Sequence, residues 1–209
     1  MLRTIFNPDN WLFRPLGKLV DIVMLSICWL AASVVLLPFG AATTALYDSV
    51  AHCLRRGEQG PYARFVGTLK ENFITGGIAG AVVLALGYGL FRLHGFLYLQ
   101  ADTGNRAWGT LYIAFWVLLA AINGVLAYLF PLLSRFEFKV GGLLSTGIRL
   151  AMAHLPSTLL LGLWTTACIV IVAVMWLSVL AVPCLWALGA TLPLERIFRP
   201  YMEAQTPQE

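Results

Sequence analysis

Long apolar runs separated by short polar groups organise this chain. Apolar runs cover about residues 19–37, 74–91 and 108–133, and residues 157–194 carry no charge at all. A helix needs about 20 apolar residues to cross a bilayer, so the uncharged stretch predicts two spans joined by a tight turn near Ser178. The first run breaks at Pro38-Phe39-Gly40 and restarts over residues 41–54. Proline removes a helical donor and glycine permits a tight reversal, so a second helix is predicted after the break. At about 1.5 Å per residue it is roughly 21 Å long, short of the roughly 30 Å hydrocarbon core.

The polar connectors have patterns of their own. In residues 55–73, Gly57, Gly60 and Pro61 end the preceding helix, and Phe65, Leu69 and Phe73 recur at four-residue spacing, apart from Arg64, Lys70 and Glu71. That spacing predicts an amphipathic helix lying on the membrane surface. Residues 134–156 repeat the arrangement, and Arg135-Phe136 echoes Arg64-Phe65, a hint of a two-helix repeat. Residues 92–107, with Arg92, His94, Asp102 and Arg106, read as a short polar connector. Within the runs, Gly76 and Gly80 have the spacing of close helix packing, and Asn123 is placed to bond across a helix pair.

Composition supports the membrane class and charge orients the chain. Hydrophobic residues make up 59% and charged residues 11%, against roughly 45–50% and 25% in soluble domains. Seven Trp and seven Tyr suit interfacial aromatic belts. The net charge of +4 does not indicate a nucleic-acid partner, because the basic residues sit in small groups between apolar runs. If residues 41–54 cross, the fourteen Lys and Arg divide twelve to two between the two sides; if they do not, the best division is nine to five. Orientation follows Lys and Arg in short loops, so the first arrangement is preferred.

The reading is therefore all-α: a polytopic membrane helix bundle of about six spans, the second one short, plus two cytoplasmic amphipathic interfacial helices. Residues 1–209 form one integral membrane domain with both termini cytoplasmic. Residues 1–18 are a cytoplasmic lead-in rather than a removable signal, 55–73 and 134–156 are cytoplasmic connectors, and 200–209 form a polar tail.

Candidate chemistry concentrates on the short second helix. Thr44, Asp48 and His52 recur every four residues, Arg55 extends the line, and Tyr47 lies beside it. Such residues stack on one helical face. Arg55 and Arg56 mark the interface, which puts Asp48 about two turns, roughly 10 Å, inside. A charged Asp at a span centre costs about 2.5–3.5 kcal/mol, so the stripe must face the bundle interior or a wet cavity. Asp48 and His52 are expected either to bond each other and neighbouring helices or to line a polar cavity for a proton, ion, solute or partner. Pro38, Gly40 and Asn123 are assigned structural roles.

No catalytic residue, cofactor or metal site is assigned. Only His52 and Cys53 adjoin among metal-type ligands, the cysteines Cys28, Cys53, Cys168 and Cys184 form no C-x-x-C pair, and there is no nucleophile elbow or phosphate loop.

The run LLPFGAATTALYDSVAHCLRRGE followed by FVGTLKENF, and later YLFPLLSRFEFK with the helix up to His154-Leu155-Pro156, resembles the YesL family of small bacterial membrane proteins. The segment from Pro38 to Tyr47 is its most specific part. The resemblance implies a multi-pass protein of the bacterial inner membrane, with no established activity and no catalytic residues to carry over. Members are often encoded beside ABC transporters and enzymes of oligosaccharide use. It therefore implies an accessory or regulatory component of carbohydrate uptake, with ABC transporter subunits as partners besides the bilayer. The alternative is a small transporter or channel with its polar site on the short helix. So slim a bundle would need to form a homo-oligomer to make a pathway.

Overall fold

The computed structural model describes residues 13–34 and 38–205, with side chains over 17–34 and 38–203. Most of the lead-in, the end of the first apolar run and the last residues of the tail lie outside the described residues. Helix α1 is Phe13–Ser33 and α2 is Phe39–Ser49, which continues without a break as a π-helical turn over Val50–Arg55. Then come α3 (Pro61–Glu71), α4 (Phe73–Ala101), α5 (Arg106–Leu133), α6 (Val140–Ala153) and α7 (Leu155–Val174). A 3₁₀ turn, Trp176–Leu180, leads into α8 (Val182–Gln205). All regular structure among the described residues is helical, and α4, α5 and α7 are long and apolar enough to cross a membrane.

The shortest of the predicted spans is the centre of the bundle. Every residue from Gly40 to Ser49 is buried, and α2 packs against α1, α3, α4, α5 and α8. Its sequence explains this: Gly40, Ala41, Ala42, Thr43, Thr44 and Ala45 are small on every side, so neighbouring backbones can close in. Gly40 is an ordinary helical residue rather than the pivot of a tight reversal. Its role is close approach: a Cβ there would lie 2.7 Å from the Phe130 ring and collide with the Gly76 carbonyl. Gly76 in turn faces the Ala41 backbone, where a Cβ would meet it at 2.8 Å. Pro38 keeps its predicted place at the start of the helix, and its carbonyl accepts the Ala42 N–H at 2.7 Å.

Helix α2 separates two apolar clusters. On one side Tyr47 and Ala51 meet Tyr128, Leu132, Leu194 and Phe198; on the other Leu46, Val50 and Leu54 meet Leu25, Phe65 and Ala187. Helices α5 and α7 cross through Gly124 against Thr158 and Gly162 against Ala120. The Asn123 amide donates across this crossing to Thr166 Oγ1 at 3.0 Å, as its position within the apolar run suggested.

Two boundaries differ from the sequence reading. Helix α4 runs through Arg92 and His94 to Ala101, so the connector shrinks to Asp102–Asn105, with Gly104 at φ +77°. Packing overrides the charges here: His94 Nε2 lies 3.0 Å from the Tyr112 hydroxyl, and its ring contacts Phe115 and Trp116 on α5. The 3₁₀ turn does bracket Ser178, whose N–H donates to the Met175 carbonyl.

The close approach can be tested by adding bulk. Gly40→Leu or Gly76→Leu should sharply reduce the yield of monodisperse protein, since overpacking costs about 1–3 kcal/mol or more. Gly87→Ala and Gly89→Ala, where added atoms meet open space, should match wild type in size-exclusion profile and melting temperature.

Candidate functional site: an arginine–carboxylate network beside a polar cavity

The site begins where α2 widens into its π turn. Such turns are uncommon and cluster at functional positions. The turn ends at Arg56, and Gly57 and Gly60 take left-handed φ values of 80° and 81° that reverse the chain at little steric cost. Pro61 then opens α3. The reversal lays α3 back over α2 and returns Glu58, Arg64 and Thr68 to the level of Asp48. Phe65 is buried, and Leu69 packs beside it against the α1–α2–α8 cluster. Helix α3 thus buries its inner face on protein; Arg64 points inward with Phe65, and Phe73, at half exposure, begins α4.

Asp48 is 4% exposed and fully engaged. Its Oδ2 accepts from Arg64 Nε at 2.7 Å and Thr68 Oγ1 at 2.9 Å; its Oδ1 accepts from Arg135 Nη1 at 2.9 Å. Arg135, from the segment between α5 and α6, also donates to Glu195 Oε1 through Nη2 at 2.6 Å and Nε at 3.1 Å. Its guanidinium lies 5.8 Å over the Tyr47 ring, and the Tyr47 hydroxyl reaches the same Glu195 oxygen at 3.3 Å. Arg56 completes the chain on Glu195 Oε2 at 2.8 Å. One connected set of charges therefore ties α2, α3, the α5–α6 segment and α8 together.

Geometry fixes the state of His52. Its Nε2 is 2.6 Å from Arg135 Nη1, and a guanidinium can only donate, so Nε2 is the bare acceptor. The proton therefore sits on Nδ1, which donates to Glu58 Oε1 at 2.9 Å. The hydrogen bond from His52, opposed by slight desolvation and reinforced by the Arg64 and Arg56 charges, holds the Glu58 carboxyl below the usual glutamate range. Burial works against the Arg64 charge, but the bond and charge of Asp48, with Glu58, outweigh it and push its pKa up. At the start of α3, desolvation and the 2.7 Å bond to Asp21 push the Tyr62 hydroxyl up to about 12.

Beside this network opens a cavity of about 860 Å³. Asp48, His52, Arg64 and Thr68 line it together with Ser134–Phe138. Glu71, Asn72 and Thr75 add further hydrogen-bonding groups. Such a lining offers donors and acceptors to a polar solute. The lone pairs of Asp48 and the ring nitrogens of His52 are already occupied, however, which leaves neither poised as a general base. Among the described residues no group of three or more His, Cys, Asp or Glu could hold a metal ion.

Of the five predicted stripe residues, Tyr47, Asp48 and His52 converge here. Thr44 does not: its hydroxyl donates to its own helix, at the Gly40 carbonyl, at 2.9 Å. Arg55 leaves as well, because the wider π turn carries it off the line of Thr44, Asp48 and His52; it donates to the Thr191 carbonyl on α8. Asp48 and His52 do not bond each other either. They are 3.6 Å apart at closest approach, and each has shorter contacts. Arg64, Thr68, Arg135 and Glu195 were not anticipated as site residues. Two of them carried a signal in the Arg-Phe echo, since Arg64 and Arg135, each followed by phenylalanine, close on the same carboxylate from opposite halves of the chain.

Residues 22–92 match the family model described as "Protein of unknown function, DUF624". The YesL family is a DUF624 family, so the match accords with the resemblance over this segment. It takes in Asp48, His52, Arg64 and Thr68, and ends before Arg135 and Glu195. No curated protein and no solved structure matches the chain.

Removing one partner of a buried pair strands the other charge, typically at a cost of about 3–5 kcal/mol. Arg135→Ala should therefore lower the melting temperature of the purified protein far more than Arg149→Ala, whose side chain lies outside the network. His52→Gln, which preserves an acceptor and a donor, should cost about 1 kcal/mol. Equal melting temperatures for Arg135→Ala and Arg149→Ala would mean that the network contributes nothing to stability.

Proposed function

We propose that the protein is a six-span inner-membrane protein with both termini in the cytoplasm, serving as an accessory component of carbohydrate uptake by an ABC transporter. The observation that carries this reading is that the polar stripe's charges are spent on one another. A carboxylate clamped by two guanidinium groups braces helices against each other and gives a rigid platform for a partner. The platform consists of α3, the α5–α6 segment and the end of α8. Carbohydrate uptake itself comes from the YesL resemblance.

Charge distribution supports the orientation. Arg56, Arg64 and Arg135 gather around the network and its cavity, while Arg106 adjoins the Asp102–Asn105 connector between α4 and α5 and Arg92 lies in the half of α4 nearer to it. That is the asymmetry of a cytoplasmic cavity end. Helices α3 and α6 then lie at the cytoplasmic face, α3 docked on α2.

A second reading, a small transporter, is favoured by the cavity and by the irregular end of α2, since short or broken helices mark transport sites. The two are separable. Purified protein in liposomes should show no uptake of oligosaccharide, and affinity purification from native membranes in mild detergent should recover ABC transporter subunits. Solute flux without such subunits would select the transporter. In a cysteine-free background, Thr103→Cys should react with an impermeant thiol reagent added outside cells, and Gln59→Cys should not. The reverse pattern, or equal labelling, would overturn the topology.

A further inference from the structure

A second groove, of about 370 Å³, lies on the other side of Glu195 between the ends of α2 and α8. Arg55, Arg56, Arg196 and Arg199 line it with Glu195 and Met202. Four arginines share the groove with one carboxylate; that carboxylate already serves Arg135 and Arg56, and Arg55 donates to the Thr191 carbonyl. Arg196 is exposed and makes no hydrogen bond or ion pair among the described residues. Among the described residues Arg199 pairs with Glu203, and both side chains are largely exposed, at 78% and 66%. Such a pair is worth little and exchanges readily. The groove therefore has a surplus of donors suited to a phosphate.

The face of α8 leading into the groove indicates which phosphate. Leu185, Leu188, Leu192, Arg196 and Arg199 follow one another at three- and four-residue steps, so they share one helical stripe. Leu185 and Leu192 are exposed, at 43% and 56%. The stripe is apolar, exposed at Leu185 and Leu192 and half-buried at Leu188, until it turns basic one turn beyond Leu192, at the level where Arg55 and Arg56 end α2. A free phosphate would use the arginines alone. A phospholipid would use both parts, with its phosphate on the arginines and an acyl chain along the leucines.

We propose that this groove binds the phosphodiester headgroup of an anionic phospholipid in the inner leaflet. The site rests on the proposed orientation of α8 and not on the carbohydrate role. Basic pockets between helices on the cytoplasmic side are an established mode of anionic-lipid recognition. Bound there, the lipid would bridge α2 to α8 beside the Arg56–Glu195 contact, coupling bilayer composition to the packing of the network.

Native mass spectrometry of the purified full chain in neutral detergent, titrated with phosphatidylglycerol or phosphatidylcholine, tests this directly. Wild type should retain phosphatidylglycerol in preference to phosphatidylcholine. Arg196→Gln/Arg199→Gln, exposed positions that spare the network, should bind phosphatidylglycerol about twenty-fold more weakly. Arg196→Lys/Arg199→Lys should recover most of that loss, and Arg149→Gln should behave as wild type. Equal retention of the two lipids, or an unchanged affinity in the glutamine variant, overturns the site. Displacement of phosphatidylglycerol by millimolar glycerol phosphate overturns the lipid assignment in favour of a soluble phosphate. The thiol-labelling pattern tests the orientation separately, so failure of either idea can be told from failure of the other.

Discussion

The structure depends on one buried carboxylate. Asp48 sits near the end of a helix whose first turns are too small to hold apart the helices around it. A buried anion in such a place is costly unless donors surround it. Arg64 and Arg135 supply them from two different parts of the chain, and Thr68 fills the remaining position. The arginines would themselves be costly to bury unpaired, so Glu58 and Glu195 follow. Each charge is present because its neighbour is, and the set closes only when α2, α3, the α5–α6 segment and α8 are all in place.

Two kinds of packing thus meet along α2. Its Gly- and Ala-rich start gains from close van der Waals contact, the main attraction available between helices in lipid. Its other end gains from directional bonds. Small residues place α4 and α5 near enough for register to matter, and the ion network then selects one register. The π turn belongs to this arrangement, because it takes Arg55 to α8 while leaving His52 with Arg135.

Periodicity and charge made the helices legible. The break at Pro38, the two helices within the uncharged stretch and the cross-helix role of Asn123 follow from local pattern alone. Asp48 and His52 were legible as a site because an apolar chain has no cheap place for them. Their partners were less so: Arg64 and Arg135 look like any basic residue beside a span, and only the fold turns them inward. Arg55 turns to α8 instead of continuing the stripe because three- and four-residue spacing assumes a regular α-helix. The reach of α4 past Arg92 was hidden because the contacts of His94 with α5 outweigh the local polarity. Glu195, 147 positions from Asp48 in sequence, had no local signal.

Asp48 and Arg135 hold each other in place across the bundle. A double-mutant cycle with Asp48→Ala and Arg135→Ala, read by reversible unfolding in mixed micelles, measures that directly. Each single variant takes one partner from a buried charge, whereas the double variant removes both members of the pair. The double variant should therefore lose much less stability than the two singles added together, with a coupling energy of about 2 kcal/mol or more. Losses that simply add would contradict the account, because they would show that neither side chain depends on the other.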